Sequence, residues 1–397
     1  MKSSDPTASR STGRMPPDAF DFDAEIDRRG TGAQKWDRYA GRDVIPMWVA
    51  DMDFRSSPAV IDALHERVEH GVFGYTSAPE ELPLAIVDQL ERDFAWRIEP
   101  QWIVWLPGLV TGLNLACSLA GETGDAVVTL TPIYPPFLSA PRHAIRECIR
   151  VPLVNHEQGW AIDPDRLQAA ITPRTRMLML CNPHNPVGRV YDGAELRTLT
   201  AICERHDLWV CSDEIHCGLI LDADKQHLPL AAVSAEMAQR SITLMAPSKT
   251  FNIPGLGMSF AVVPNVTLRQ RLYRAMAGFT PSVNALGFTA ALAAYRDGGA
   301  WHAALVDYLR SNRDLVEARI AEMPGLSMRH VEATYLAWID TRDTDITDPH
   351  RFFEYAGVGL SDGCDFGAAG FVRLNFGCRR ALLDTALERM AAALRRR

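Results

Sequence analysis

The chain has 397 residues, 47% of them hydrophobic and 23% charged, with a formal net charge of −8. That size and balance suit a soluble protein with one large domain and a smaller one, and the charge disfavours a nucleic-acid groove or an anionic membrane surface as partner. No apolar run is long enough to span a bilayer, and none of the eight cysteines forms a Cys-x-x-Cys pair, so no membrane partner, metal site or disulfide framework is expected and the cytoplasm is the expected compartment.

In chain order, the opening residues are rich in Ser, Thr, Arg and Pro without an apolar core, which reads as a disordered arm over 1–19 rather than a secretory signal. The stretch Met47-Trp48-Val49-Ala50-Asp51-Met52-Asp53-Phe54 is apolar but cut by two acids, unusual for a simple strand. Ser57-Pro58 opens a helix over 59–70 with proline at its first position. Glycines flank an aromatic pair in Gly71-Val72-Phe73-Gly74-Tyr75, where Tyr75 by itself reads equally as a packed turn residue.

From there strands and helices alternate. Strands are predicted over 102–106, 127–130, 177–181, 208–211, 242–245 and 258–263, with helices to about residue 120 and over 194–205. Their continuous apolar runs suit strands covered on both faces, hence an α/β fold with a mostly parallel sheet. After residue 263 the pattern turns helical over 268–278, 283–296 and 300–323. Short strands follow near 335–339 and 371–376, then a last helix over 381–394.

Chemistry-bearing residues fall just after the strands, where open α/β sheets bind ligands. Tyr134, Asn182, Asp213 and Lys249 all sit at such ends. Gly108, Leu109 and Val110 lie where a strand passes through glycine into a helix, so unpaired backbone N–H groups offer an anion site. Lys249 stands among small and apolar residues. Desolvation there disfavours its ammonium and readies the amine for a Schiff base, although a strand-end lysine can simply face solvent. Arg373 is a charge inside an apolar strand; it reads either as half of a structural ion pair or as a clamp for a carboxylate.

The ordered set Asn182-Pro183-His184-Asn185-Pro186-Val187-Gly188, Asp213-Glu214-Ile215-His216 and Ser248-Lys249 resembles the fold-type I pyridoxal-phosphate enzymes of the class I/II aminotransferase superfamily. With residues 47–54, Phe73-Gly74-Tyr75 and Thr250-Phe251-Asn252-Ile253, it resembles more narrowly the MalY/PatB cystathionine β-lyase branch. The resemblance runs from about residue 20 to the end. It implies a large cofactor-binding domain over 58–297 and a smaller α+β domain from both chain ends, 20–57 and 298–397.

The resemblance also implies roles. Lys249 would hold pyridoxal phosphate and remove the substrate Cα proton. Asp213 would pair with the pyridinium nitrogen, Asn182 would donate to the ring oxygen, and Tyr134 would stack on the ring. Gly108, Leu109, Val110 and Ser248 would take the phosphate, and His216 would either touch the cofactor or pack beside it. Arg373 would bind the α-carboxylate with Ala50 nearby. Tyr75 would reach across a homodimer interface to the partner's site, serving both catalysis and substrate binding.

Two departures matter. A serine three before the lysine and an arginine eight after it are common in aminotransferases; here these positions are Ala246 and Gly257. The expected activity is β-elimination on cystathionine or another L-cysteine S-conjugate, giving thiol, pyruvate and ammonia. The alternatives are an aminotransferase, or a protein of this branch with an added regulatory partner.

Overall fold

The computed structural model describes residues 20–157 and 159–396; the arm expected over 1–19 lies outside them. A seven-stranded sheet forms the centre. In chain order its strands are β1 (Ile103–Leu106), β2 (Ala126–Thr131), β3 (Glu147–Pro152), β4 (Thr175–Cys181), β5 (Trp209–Asp213), β6 (Ser241–Met245) and β7 (Ser259–Val262). They lie in the order β1-β7-β6-β5-β4-β2-β3. All neighbours are parallel except β7, which runs antiparallel to both β1 and β6.

Helices cover both faces. Met177 and Met179 of β4 join one apolar cluster with Leu113 and Leu244, while Leu178 and Leu180 join the opposite one with Leu130 and Val210. That is the two-residue side-chain period of a strand buried on both sides. Truncating Leu178 to alanine in such a core costs about 2–5 kcal/mol.

Some elements exceed the sequence expectation. Strand β3 is one of the two sheet edges, and its half-exposed residues give no continuous apolar run. Helix Glu81–Phe94 buries Leu82, Ile86 and Leu90, four residues apart on one face.

A second sheet holds β8 (Ser327–Met328), β9 (Leu336–Asp340), β10 (Ser361–Asp362) and β11 (Phe371–Asn375), antiparallel in the order β8-β9-β11-β10. Its apolar residues pack with helices Gly299–Ala321 and Arg380–Arg395. The two ends of the chain meet here, since Ile45–Pro46 pairs in parallel with Val358–Gly359.

Beyond that pair, residues 47–54 form a strap held largely by side-chain amides. Asn375 Nδ2 donates to the carbonyls of Val49 and Asp51. Asn252 accepts from the Met52 N–H and donates to the carbonyls of Met52 and Phe54. The strap thereby lies across the turn that follows Lys249.

Candidate active site

Strands β2, β4 and β5 run parallel, so the segments after them open on one side of the sheet. A cavity of about 660 Å³ lies there, between the two sheets' residues and the strap. Tyr134, Asp213, His216, Ser248, Lys249 and Arg373 all line it. Ala50 lines it from the strap, and Gly108, Leu109 and Val110 from the start of helix Leu109–Leu119. That helix has no side-chain cap at its N-terminus, so its first N–H groups are free to take an anion.

Lys249 donates from Nζ to the Ala50 carbonyl at 2.5 Å. Burial lowers its amine to about 8, with Arg373 adding to the effect and Asp51 and Asp213 opposing it. Asp213 lies on the other side of the balance. It accepts from the Ile215 N–H at 3.1 Å but makes no ion pair among the described residues, and burial pushes its carboxyl up to about 7. The next residue, Glu214, turns into the interior instead. It accepts from Ser212 Oγ at 2.7 Å and the Leu230 N–H at 3.0 Å, and lies 2.8 Å from His227 Nε2.

Arg373 is 4% exposed and faces no carboxylate among the described residues. It donates to Asn185 Oδ1 at 2.9 Å, to the Trp48 carbonyl at 2.8 Å and to Ser361 Oγ at 3.3 Å. Its Nε is buried with no partner, and its guanidinium lies 4.6 Å from the centre of the Phe366 ring. Burial pulls it down to about 10. Of the two readings open for this arginine, the structural ion pair is absent, leaving a cation held open toward the cavity. His216 is likewise buried, with Nδ1 unpartnered and the Tyr335 ring edge-on at 6.2 Å. Burial pulls its imidazole down to about 3, so it stands neutral beside Lys249 and Arg373.

Asn182 is corrected. Its side chain is fully buried behind the cavity, accepting from the Tyr191 N–H at 3.2 Å and donating to the Leu228 carbonyl at 3.4 Å. The cavity residue is Asn185, three further along the same motif. Strand β4 fixes Asn182 in register with the Asp213 carbonyl, and the chain turns before an asparagine reaches the cavity. Tyr75 does not join the group within this chain; it is exposed on the loop after helix Pro58–Glu69.

Sequence reasoning missed the cavity rim. Gln34, Arg38, His350, Asp362 and Asp365 stand there, contributed by loops and short elements without a motif. Ser361 carries a signal only in three dimensions, as the register partner of Arg373 across β10 and β11. Gly257 also lines the cavity. Its φ is +59°, and an added Cβ would sit 3.2 Å from the Pro107 carbonyl oxygen, so this backbone disfavours a side chain where many aminotransferases place arginine.

The arrangement fits pyridoxal phosphate. A buried carboxylate without a cation suits a pyridinium nitrogen, the lysine amine suits the aldehyde, and an uncapped helix N-terminus beside Ser248 suits the phosphate.

A family model for aminotransferase class I and II matches residues 42–390. The chain is 37% identical over 387 residues to cystathionine beta-lyase PatB of Bacillus subtilis (strain 168), covering 94% of this chain and all of that one. Among solved structures, that of OvoB superposes with a TM-score of 0.93 at 48% identity, covering 94% of this chain and 99% of that one. Cystalysin from Treponema denticola, which contains a pyridoxal 5'-phosphate cofactor, superposes with a TM-score of 0.92 at 31% identity, covering 95% and 99%.

Proposed function

Because the chain belongs to the class I and II aminotransferase family, in its MalY/PatB cystathionine β-lyase branch, we propose that it is a pyridoxal-phosphate-dependent carbon–sulfur β-lyase acting on L-cysteine S-conjugates. One observation carries this reading. A single cavity holds a nucleophilic amine, a buried carboxylate without a cation and a buried guanidinium without an anion.

Bound there, pyridoxal phosphate supplies an electron sink for charge developing at the substrate Cα. Asp213 would hold the pyridine nitrogen in its cationic form, Tyr134 would cover the ring, and Asn185, which accepts from Arg373, would face the ring from the same cavity wall. Arg373 grips the α-carboxylate bidentately, which orients the Cα–H bond toward Lys249. Lys249 takes that proton onto Nζ. The Cβ–S bond then breaks and the sulfur leaves as a thiol, while the three-carbon remainder hydrolyses to pyruvate and ammonia.

The relatives named as cystathionine β-lyases and the glycine at 257 favour elimination over transamination. The reading is tested with purified protein and pyridoxal phosphate, measuring pyruvate from cystathionine, S-alkyl cysteines and cystine. Absence of pyruvate from all of them sinks it, and conversion of cofactor to its amine form without pyruvate replaces it with an aminotransferase.

The rim sets which sulfur substituent enters. Arg38 lies 4.5 Å over the Trp48 ring with no carboxylate partner among the described residues, opposite Asp362, Asp365 and His350. Charges of both signs suit a substituent with its own charged end. Arg38→Ala is expected to raise KM for cystathionine roughly 3-fold, as for an exposed cation contact, and more than for S-methylcysteine. Steady-state kinetics on both substrates check this.

A homodimer with shared sites accounts for Tyr75, an aromatic left bare by its own chain. Tyr75→Ala and Lys249→Ala each disable a site. Co-refolded in equal amounts, they are expected to recover about a quarter of wild-type activity, because half of random pairs are hybrids with one intact site. No recovery would remove Tyr75 from the partner's site. Among the described residues no helix is long and apolar enough to cross a membrane. The cysteines are all free, which supports placing the enzyme in the cytoplasm.

A further inference from the structure

The two acids that interrupt the apolar strap have no part in the chemistry above, yet both are tied into a buried charge cluster. Asp53 meets Lys35 Nζ at 2.8 Å, Arg28 Nη1 at 2.6 Å and Trp36 Nε1 at 2.9 Å. Lys35 is fully buried. Asp51 meets Arg28 Nη2 at 2.7 Å through Oδ2 alone. Its Oδ1 is buried without a hydrogen bond, 3.9 Å from Lys35 Nζ.

Next to Asp51 the backbone turns tightly about Ala50, where the Asp51 N–H donates to the Val49 carbonyl at 3.0 Å. The Val49 and Asp51 carbonyls accept from Asn375 at 2.6 and 2.7 Å, and the Asp51 carbonyl also accepts from Lys35 at 3.3 Å. The intervening Ala50 carbonyl accepts from Tyr335 Oη at 3.0 Å and from Lys249 Nζ at 2.5 Å. The cluster thus fixes the orientation of a carbonyl that receives the catalytic amine.

We propose that Asp51 is a positioning residue for Lys249: anchored by Arg28, it holds the strap so that the Ala50 carbonyl seats the lysine ammonium, and its carboxylate, shared with Arg28 at 2.7 Å and Lys35 at 3.9 Å, adds a counter-charge. The inference rests on the lyase reading for its purpose. Once Lys249 has taken the Cα proton, the electron pair of the broken Cα–H bond stays with the substrate and the amine carries a full positive charge in a buried site. A fixed carbonyl and an adjacent carboxylate stabilise that charge without reorganisation. The charged groups acting on the amine are Asp51, Asp213 and Arg373; Asp213 and Arg373 line the cavity with it, as do the neutral Tyr134 and His216, and Tyr335 shares its Ala50 carbonyl. Among the charges Asp51 is the largest that raises the amine's proton affinity, against the dominant lowering by burial.

The test uses the full chain stripped of cofactor and follows the rate of pyridoxal phosphate capture against pH, which reports the neutral amine independently of turnover. Asp51→Asn is expected to move the midpoint down by about one pH unit, the scale for losing a nearby opposite charge, and Asp51→Glu to restore part of it. Arg28→Gln is expected to move the midpoint up, because it unmasks the Asp51 charge. Opposite shifts from these neighbours would not follow from simple loosening of the strap. A midpoint unchanged in a folded Asp51→Asn protein overturns the proposal. If Asp51→Asn does not fold by circular dichroism, an unchanged or lowered midpoint in Arg28→Gln overturns it. Pyruvate assays on the wild type separately report whether the lyase reading itself holds.

Discussion

Lys249→Ala is expected to lower pyruvate release by at least roughly 10³-fold, in the range for removing a general base that also holds the cofactor. The geometry gives the reason. Nζ is the amine on the cavity wall, and burial has already brought it to about 8, within reach of neutrality at physiological pH. Among the described residues no other lysine lines the cavity; Lys35, also buried, is committed to Asp53 behind the strap. The alanine variant should also lose the visible absorbance of lysine-bound cofactor while keeping its far-ultraviolet circular dichroism, since the only hydrogen bond lost is to Ala50. Retention of substantial pyruvate release by a folded Lys249→Ala protein would mean that the proton is taken elsewhere. Methylamine added to the variant offers a second readout: partial rescue is expected if the missing element is only a base at that position.

The sheet was legible because its strands are covered on both faces. The runs 127–130 and 242–245 lie within β2 and β6, whose residues are buried throughout. Edge strand β3 was not legible, because a strand with one neighbour and a half-exposed face carries no such run. Lys249, Asp213, Tyr134 and Arg373 were visible because strand ends and a lone charge in an apolar strand have a physical meaning in one dimension. Asn182 and Asn185 could not be told apart. Both precede proline, and which one faces the ligand depends on the path of the turn and on the Tyr191 and Leu228 groups that occupy Asn182. The strap was visible as an anomaly, two acids in an apolar run, but its partner Lys35 is separated in sequence and no local pattern joins them. Rim residues such as Arg38 and His350 come from opposite ends of the chain, brought together only when Ile45–Pro46 pairs with Val358–Gly359.

Asp213→Asn separates the cost of the site from its use. In the unfolded chain this carboxyl ionises near its ordinary 3.8, whereas in the fold burial holds it at about 7. Between those values the cofactor-free folded chain keeps a proton that the unfolded chain has released, so this group's contribution to stability falls as pH rises through the window. The penalty is absent below the ordinary value and complete above about 7, and it is on the order of 4 kcal/mol for a carboxylate buried without a cation. Asparagine cannot ionise. The cofactor-free variant is therefore expected to melt a few degrees above wild type at pH 8 and close to it at pH 4. Its activity should move the opposite way. Without a carboxylate at the pyridine nitrogen the ring loses its cationic form, and pyruvate release is expected to fall by roughly 10²–10³-fold, the scale for removing one fixed electrostatic stabiliser of developing charge. Calorimetry at the two pH values and a pyruvate assay check the pair. A variant that is less stable at pH 8, or that keeps activity within a few-fold of wild type, would show that Asp213 is paired within the protein and not reserved for the cofactor.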